Sequence, residues 1–333
     1  MFEKMNLQLF AWSEGQAGEP TVNPINVTTQ SSLSPTMKTF YDTTLLENAR
    51  EQMIFTQFGK KQAMKGNKIE WRKFNTFAKA LTPLTEGVIP TGQTFGMTNI
   101  EGTITQHGDF TAVSDRLELE SYDDVIFGAT EEMGAAEGET YDTLTRNILV
   151  AGNSVMYCPN GDTEVESRAN VTKDCILTPD VVSRAATWLK KNKAPKIDGY
   201  YVAIIHPSVA FDLRKSEEWK DFHKYSDVTP IFKGEIGELH GVRFIECNEA
   251  KIWKDSGSAV YATLFLGKDA FGILDPEGEG MEMIVKTKGQ IGGPLEQFST
   301  IGYKFCHGAK ILYQERLLRV ESGSFYSDID EAN

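Results

Sequence analysis

Apolar and polar positions divide the N-terminal part of the chain into stretches with different periods. Residues 13–36 are rich in Ser, Thr, Gly, Pro, Asn and Gln and have almost no apolar period, which predicts an extended arm. Within Thr36–Phe58 the apolar residues recur at helical spacing, and Gly59 is a typical helix end. The same spacing returns over Ser121–Ala151, where Ser121 is a suitable N-cap, so a long second helix is predicted.

Two stretches with alternating polarity, 66–80 and 98–115, lie between these helices. In the first stretch Ile69, Trp71 and Lys73 are spaced two residues apart, which places them on one face of a strand. We expect two antiparallel strands joined by the segment Leu81–Met97, which contains two prolines and three glycines. That segment is too long for a tight turn, and long loops within compact domains are usually functional.

Short helices and strands alternate in the second half of the chain, after a loop-like stretch at 152–177. Thr178-Pro179-Asp180 supplies the cap, the proline and the acid of a helix start. Tyr200–Ile205 is a continuous apolar run that is typical of a buried strand. His206-Pro207 ends that strand and begins another helix.

The remaining strands are predicted from further apolar or alternating runs. They cover Val242–Cys247, Ala259–Leu266, Met281–Lys286 and parts of Ser299–Glu321. Gly302 and Gly308 are predicted as β-bulges. The acidic tail, Asp328–Asn333, is predicted to fray.

Composition excludes several classes of protein. The 333 residues predict about two domains, and 40% hydrophobic with 11% aromatic residues exclude a disordered chain. The net charge of −13 argues against nucleic-acid binding by bulk charge. No apolar run reaches the roughly 18 residues of a membrane span. Because Met1–Trp12 lacks the apolar core of a signal peptide, we expect synthesis in the cytosol and no membrane partner.

Catalytic and ligand-binding motifs are missing from the sequence. The four cysteines have no short spacing, so they predict buried free thiols rather than a zinc or redox motif. Cys306 and His307 are adjacent on a predicted strand, where they point to opposite faces and cannot form a dyad. They are interpreted as a core cysteine and an edge histidine. We therefore predict no catalytic, cofactor-binding or metal-ligating residue and no cofactor.

Charge is distributed in two blocks of opposite sign. Lys60–Lys79 has a net charge of +6, and Asp115–Asp142 has a net charge of −9. Charge runs are usually solvated faces, which is one interpretation. A second is that the basic block of one subunit lies over the acidic block of the next. A third, nucleic-acid binding by the basic block, lacks regularly interleaved stacking aromatics.

The order of these segments resembles the major capsid proteins of tailed bacteriophages, which have the Hong Kong 97 fold. The resemblance covers about Leu33 to Val320. The similar motifs are Leu81-Thr82-Pro83-Leu84-Thr85-Glu86-Gly87-Val88, Gln106-His107-Gly108-Asp109-Phe110 with Ser114-Asp115, Tyr200–Arg214, and Ile301-Gly302-Tyr303-Lys304 before Gly308-Ala309-Lys310-Ile311. The opening Met5-Asn6-Leu7-Gln8-Leu9-Phe10-Ala11 is similar to a common phage structural-protein start, which makes Met5 an alternative initiator to Met1.

The resemblance implies an α+β fold of the Hong Kong 97 type. It has an N-terminal arm, an extended β-hairpin loop, a peripheral domain with a long spine helix, and an axial α/β domain. The implied divisions are the arm at 1–36, a helix leading into the hairpin at 37–59, the extended hairpin at 60–115, the peripheral domain with the spine helix at 116–177, the axial domain at 178–297, and the closing strands of the peripheral domain with the acidic tail at 298–333.

The resemblance also implies a shell protein rather than an enzyme. Many copies would form pentamers and hexamers and tile an icosahedral virion shell around double-stranded DNA, without sequence-specific binding. The expected partners are other copies, a separate scaffolding protein and a portal, and synthesis would take place in the bacterial host cytoplasm. The expected intersubunit contacts are Lys60, Lys61, Lys65, Lys68, Arg72, Lys73, Glu86, Asp123, Asp124, Glu131 and Glu132. The alternative function is an α/β enzyme of unknown substrate, which a free monomer with a conventional pocket would favour.

Overall fold

The structure is a computed structural model. It describes residues 53–333 except 65, 67, 76, 90, 121–124, 221–234, 256, 277–279, 288–289, 292–294 and 296. The predicted arm, most of the helix predicted over Thr36–Phe58 and the predicted Ser121 cap lie outside the described residues.

The described chain contains helices and sheets in the mixture that the sequence predicts. The α-helices are α1 (Asp115–Glu120), α2 (Val125–Val150), α3 (Pro179–Lys191) and α4 (Pro207–Lys215). Short 3₁₀ helices cover Phe55–Phe58, Arg168–Asn170 and Gln314–Arg316. The strands are β1 (Lys60–Met64), β2 (Lys68–Phe74), β3 (Met97–Thr103), β4 (Thr105–Ser114), β5 (Val155–Tyr157), β6 (Tyr201–Ile205), β7 (Glu235–Leu239), β8 (Val242–Glu246), β9 (Ile252–Asp255), β10 (Ser258–Leu266), β11 (Phe271–Pro276), β12 (Glu282–Lys286), β13 (Phe298–His307), β14 (Ala309–Ile311) and β15 (Leu317–Ser322).

The chain forms two compact units. Among the described residues, the first unit comprises Gly108–Glu137 and Met281–Phe305. The second unit comprises Glu51–His107, Gly138–Gly280 and Cys306–Asn333. No helix in the described part of the chain is long and apolar enough to cross a membrane.

The first unit is built on a three-stranded sheet with the order β12-β13-β4. Its small core contains Val113, Ile126, Met283 and Ile301. Gly302 lies in regular register with Ile284, so it is not the predicted bulge. A Cβ at Gly302 would lie 2.8 Å from the carbonyl oxygen of Asp109, so the glycine permits close approach of the backbones.

The second unit contains a mixed sheet of seven described strands, with the order β5-β15-β10-β6-β8-β7 and β9 paired with β10. Every residue of β6 is buried, as its apolar run predicts. Alternate β6 residues belong to two hydrophobic clusters, one with α3 and α4 and the other with the end of α2. The sheet is therefore covered on both faces, which explains why its strands are continuously apolar.

Both predicted helix starts in the second unit are confirmed. The Thr178 hydroxyl accepts a hydrogen bond from the Val181 amide at 3.5 Å and caps α3. The His206 ring accepts a hydrogen bond through Nδ1 from the Ser208 amide at 3.2 Å and caps α4. His206 is thus a helix cap that follows a strand, as the His-Pro pair indicates.

Several predictions about individual segments are wrong. The loop-like stretch 152–177 contains β5, which pairs in parallel with β15. Gly59 does follow the end of a helix, the 3₁₀ helix Phe55–Phe58, but its backbone is extended with a φ of −79°, and a Cβ there would lie 2.7 Å from the Phe271 ring. Gly308 lies between β13 and β14 rather than in a bulge, and a Cβ there would lie 2.8 Å from the Thr103 carbonyl oxygen.

Two further corrections concern polar residues. His307 is 3% exposed and therefore buried, because α2 packs over the end of β13 where the sequence predicts an edge. The acidic tail is docked rather than frayed, since the Ala259 amide donates to the Asp328 carbonyl oxygen at 3.1 Å.

Candidate assembly surface

The predicted hairpin is present as an antiparallel pair of β2 and β3, shorter than the alternating sequence stretches. The register runs from Lys68 opposite Thr103 to Phe74 opposite Met97. Exposed and half-buried residues alternate strictly along β2, as the sequence predicts. An isolated two-stranded hairpin is at best marginally stable in water, so this one requires support at its base.

The base of the hairpin is anchored to the second unit by Trp71. Its ring lies against Gly102 and Gly272, where a Cβ would approach ring carbons to 2.7 Å and 2.9 Å respectively. Larger residues at either glycine would displace the ring. Lys73 adds a second anchor, with Nζ 3.6 Å from a Glu315 carboxylate oxygen and 4.4 Å from the centre of the Tyr313 ring.

The distal part of the hairpin has its own internal contacts. The Asn75 amide donates to the Gly96 carbonyl oxygen at 2.9 Å, which extends the ladder beyond β2. The Phe95 ring packs 4.9 Å from the Phe74 ring and 6.0 Å from the Phe77 ring, measured between centroids. These contacts give the tip a defined shape, although its described apolar side chains form no buried core.

The tip exposes an unusual amount of apolar surface. Eight large apolar side chains are between 48% and 93% exposed: Phe74, Phe77, Leu81, Leu84, Val88, Ile89, Phe95 and Met97. We call this set the apolar tip. Glu86 is exposed among them. Such a concentration of exposed apolar side chains in one segment, three of whose rings are in contact, indicates an interaction site.

The predicted basic contact residues occupy different environments. Lys60, Lys61, Lys68 and Arg72 are exposed, whereas Lys73 is bonded within its own chain. Lys65 lies outside the described residues. The exposed basic residues therefore line the hairpin and the strand before it, and they are accessible to a partner.

The acidic block is not a single solvated face. Glu131 and Glu132 are exposed on α2, but Glu137 and Asp142 on the same helix are buried. Asp123 and Asp124 lie outside the described residues.

Asp142 has a structural role within the second unit. Its carboxylate accepts hydrogen bonds from the backbone amides of Ile54, Phe55 and Thr56 at 2.9, 3.2 and 3.1 Å, and from the Thr56 hydroxyl at 2.8 Å. Burial raises the pKa of Asp142, while these hydrogen bonds lower it. The carboxylate fixes the first 3₁₀ helix beside α2, a contact that no local sequence pattern indicates.

The polar group around His307 is buried and structural. His307 Nε2 lies 3.0 Å from the Thr145 hydroxyl, and its ring meets the Tyr141 ring edge-on with centroids 4.8 Å apart. Burial, followed by the charge of His107, lowers the pKa of His307 to about 4. The neutral imidazole therefore predominates at neutral pH.

The cysteines have the environment of inert thiols. All four lie in the described part of the chain, where they are buried and form no disulfide. Burial raises the pKa of Cys247 to about 12 and raises the pKa of Cys158 further. The described residues also include no group of three or more His, Cys, Asp or Glu side chains arranged to hold a metal ion.

A cavity of about 390 Å³ lies beside the start of α3 and the end of α4. Its lining includes Pro179, Lys215, Phe325 and Asp212. One Asp212 carboxylate oxygen accepts hydrogen bonds from the Ser324 hydroxyl and the Phe325 amide at 2.8 and 2.7 Å. That carboxylate is thus used to hold the C-terminal segment.

Comparisons with known proteins identify the class to which the chain belongs. A family model described as "Phage capsid protein" matches residues 108–273. A search of curated proteins finds no match. The capsid of Ralstonia phage GP4 is similar with a TM-score of 0.64 and 14% identity, covering 96% of this chain and 100% of that one.

Two cyanophage capsids are similar as well. The Pam1 capsid subunit has a TM-score of 0.64 and 11% identity, covering 95% of this chain and 100% of that one. The P-SCSP1u capsid has a TM-score of 0.61 and 14% identity, covering 82% of this chain and 88% of that one. A fold shared over this much of the chain, together with the family match, defines a structural protein of a phage shell. The chain is a tailed-phage major capsid protein, as the sequence resemblance implies.

Proposed function

We propose that this capsid protein assembles as pentamers and hexamers into an icosahedral head with the Hong Kong 97 arrangement. In this proposal residues 60–115 are the extended hairpin, 116–177 and 298–333 contribute the peripheral domain, and 178–297 form the axial domain. Residues 1–36 act as an arm and 37–59 lead into the hairpin. The observation that carries the proposal is the exposed apolar tip on an anchored hairpin.

The apolar tip gives the hairpin a reason to bind a neighbouring copy. Burial of apolar surface contributes about 25 cal/mol per Å², and a subunit alone leaves eight large side chains largely in water. Because Trp71 and Lys73 fix the base of the hairpin, little additional ordering is required when the tip docks.

Charge sets the register of the proposed contact. The exposed basic residues Lys60, Lys61, Lys68 and Arg72 would face the exposed acids Glu131 and Glu132 of the neighbour. Each exposed pair contributes only about 0.2–1 kcal/mol. A shell repeats the contact in every subunit, so the charges mainly steer association, and they weaken as salt screens them. Glu86, Asp123 and Asp124 are part of the same proposal.

The proposed partners follow from the shell. Copies of the chain would require a separate scaffolding protein and a portal, and they would enclose double-stranded DNA without reading its sequence. Synthesis would take place in the cytoplasm of the bacterial host. The net charge of −13 fits a container that does not bind its genome tightly.

The proposed contact predicts a charge-reversal phenotype. Lys68→Glu with Arg72→Glu should slow assembly at low salt, because two exposed cations of β2 are replaced by anions, which Glu131 and Glu132 of the neighbour would repel. Lys73 is left unchanged because it is bonded to Glu315 in its own chain. Light scattering follows the rate, and electron microscopy shows whether shells form.

A compensating reversal tests the pairing. Glu131→Lys with Glu132→Lys in the same chain should restore part of the rate. Lys286→Glu with Lys310→Glu, two exposed lysines of β12 and β14, gives the same change of net charge and should leave the rate near that of the wild type. A rate that is indifferent to salt, or a double reversal that restores nothing, would show that the two blocks are only solvated faces.

A further inference from the structure

The last ten residues of the chain are held firmly to the second unit. The Asp330 carboxylate accepts hydrogen bonds from the Tyr261 hydroxyl at 2.6 Å and the Ser327 hydroxyl at 2.7 Å. Asn333 accepts from the Ile252 amide at 2.9 Å and donates to the Ala250 carbonyl oxygen at 3.2 Å. Together with the bonds from Ser324 and Phe325 to Asp212, these contacts fix the backbone of 324–333.

This fixed segment exposes large apolar side chains. Phe325 is 63%, Tyr326 65% and Ile329 76% exposed, and Phe211 of α4 lies beside Tyr326 with ring centroids 5.0 Å apart. We call these four residues the tail ridge. Asp328 and Glu331 lie in the same segment, so the tail ridge is apolar with acidic neighbours.

A cluster of lysines lies at the other end of the same unit. Lys190, Lys191, Lys193 and Lys196 are all exposed at the end of α3 and in the turn that follows it. We call them the lysine cluster. The run of four cations within seven residues contains no acid. Their placement at the helix end suits the helix dipole, but that role alone would need only the last turn.

Strand β10 runs from the region of the tail to the region of the lysine cluster, and its length gives the distance between them. The tail meets β10 near its start, where the Ala259 amide donates to the Asp328 carbonyl oxygen. The lysine cluster lies beyond its end, where the Lys268 amide donates to the Pro195 carbonyl oxygen at 2.9 Å. The strand has nine residues, which at about 3.4 Å per residue separates the two regions by roughly 27 Å.

We propose that the tail ridge of one copy docks on the lysine cluster of the next copy, head to tail around each pentamer and hexamer. The proposal rests on the proposed ring-shaped assemblies. Asp328 and Glu331 would pair with the lysines, whose aliphatic stems would cover Tyr326 and Ile329. Complementary surfaces at opposite ends of one unit form a heterologous contact, which produces a ring when the rotation between successive copies closes.

Duplex DNA is the competing occupant of the lysine cluster. It would neutralise the lysines but would leave the tail ridge exposed, and it would be repelled by Asp328 and Glu331 if it extended to them. A second copy satisfies both surfaces at once, so we argue for that occupant and leave DNA as an outcome of the test.

Two charge reversals test the contact. The cluster variant carries Lys193→Glu and Lys196→Glu, and the tail variant carries Asp328→Lys and Glu331→Lys. None of these four side chains takes part in the hydrogen bonds that fix the tail. Each variant alone should form pentamers and hexamers at least tenfold more slowly than the wild type, because the acidic tail then meets a cluster with no net positive charge in the cluster variant, and a reversed tail meets the intact lysines in the tail variant. The melting temperature of the isolated subunit should change little.

Mixing the variants gives the sharper result. In an equimolar mixture, the acidic tail of a cluster variant can dock on the intact lysine cluster of a tail variant. The reversed tail of a tail variant can dock on the altered cluster of a cluster variant. Strict alternation is possible in a ring of six but not in a ring of five. Native mass spectrometry should therefore show hexamers restored and pentamers still depleted, whereas a single chain with all four changes should restore both.

The outcomes separate this inference from the proposed function. A wild-type protein that forms neither pentamers nor hexamers contradicts the proposed function itself. Wild-type rings that persist in both variants, or a mixture that restores nothing, overturn only the tail contact. If the cluster variant loses retention on duplex DNA and the four-change chain does not recover assembly, the lysine cluster binds DNA and the inference is wrong. Tyr326→Ser with Ile329→Ser, which changes no charge, should also slow ring formation at least tenfold.

Discussion

At the scale of single residues, His307 links the stability of the subunit to acid pH. Its pKa is about 4 in the folded chain, against 6.5 for an ordinary histidine, mainly because it is buried. Between these values the unfolded chain binds a proton that the folded chain does not. The free energy of unfolding should therefore fall by up to about 3 kcal/mol as the pH is lowered from 6.5 to 4.

The substitution His307→Gln tests this prediction. We expect the variant to be less stable than the wild type at pH 7.5, since it loses the contact with Tyr141, but to lose less stability on acidification. Urea unfolding of isolated subunits at pH 7.5, 5.5 and 4.5 measures the difference. His240→Asn, at an exposed position with a φ of 53°, is the control and should follow the wild-type curve. Parallel curves for His307→Gln and wild type would contradict the prediction.

Glu137 has the opposite dependence on pH. Its carboxylate is fully buried in α2, finds no hydrogen-bond partner among the described residues, and has a pKa raised by burial to about 7. The folded chain thus retains a proton that the unfolded chain releases above pH 4.5. Stability associated with this group is present at acid pH and is lost as the pH rises to 7.

The variant Glu137→Gln should therefore be more stable than the wild type above pH 7. The gain should be up to about 3 kcal/mol at pH 8 and should disappear near pH 4. Urea unfolding at both pH values measures it, with the exposed Glu139→Gln on the same helix as the control. A gain that does not depend on pH would show that Glu137 is not protonated in the folded subunit.

At the scale of elements, the apolar tip is separable from the fold. Replacing 77–95 by a short Gly-Ser turn removes six of its eight exposed apolar side chains and leaves Trp71, Gly102 and Gly272 in place. The melting temperature of the isolated subunit should change by no more than a few degrees, because the removed side chains contribute nothing to the core. Shells should fail to form or should be malformed in electron micrographs. A variant that does not fold, or one that assembles normally, would show that the tip is not an assembly element.

The elements that the sequence predicts best are those whose signal is local. The caps at Thr178 and His206, the continuous apolar run of β6 and the alternation of β2 are all confirmed because each depends on near neighbours. The short strand β5 was not predicted because its three half-buried residues form a pairing with β15, which is distant in sequence. The glycines at 302 and 308 are predicted wrongly for the same reason, since the backbone that excludes a Cβ comes from another element.

At the scale of the whole molecule, charge blocks and a long tip can be recognised from the sequence, but the burial of charged side chains cannot. In the sequence Glu131, Glu137 and Asp142 belong to one acidic block. Only the packing of α2 shows that the first is exposed and the other two are buried. The tail ridge was missed because an acidic, short C-terminal segment predicts fraying. Its docking depends on Asp330 and Asn333 meeting partners more than 65 residues away.

The cysteines give a prediction for the whole subunit. Alkylation under denaturing, non-reducing conditions should modify all four thiols, as mass spectrometry would show by the mass added. The same reagent should react slowly with the native subunit, because all four side chains are buried. A disulfide, or rapid native labelling, would contradict the structure.

Buried thiols with raised pKa values also report the rate of local unfolding. Since the thiolate of Cys158 or Cys247 forms only when the surrounding strands separate, the rate of native labelling measures how often that part of the subunit opens. Cys158 and Cys247 lie in different hydrophobic clusters on the two faces of the large sheet, so each reports the opening of its own face. Comparing their labelling in free subunits and in closed shells would show, face by face, how much of the rigidity of a shell belongs to the subunit and how much is conferred by its neighbours.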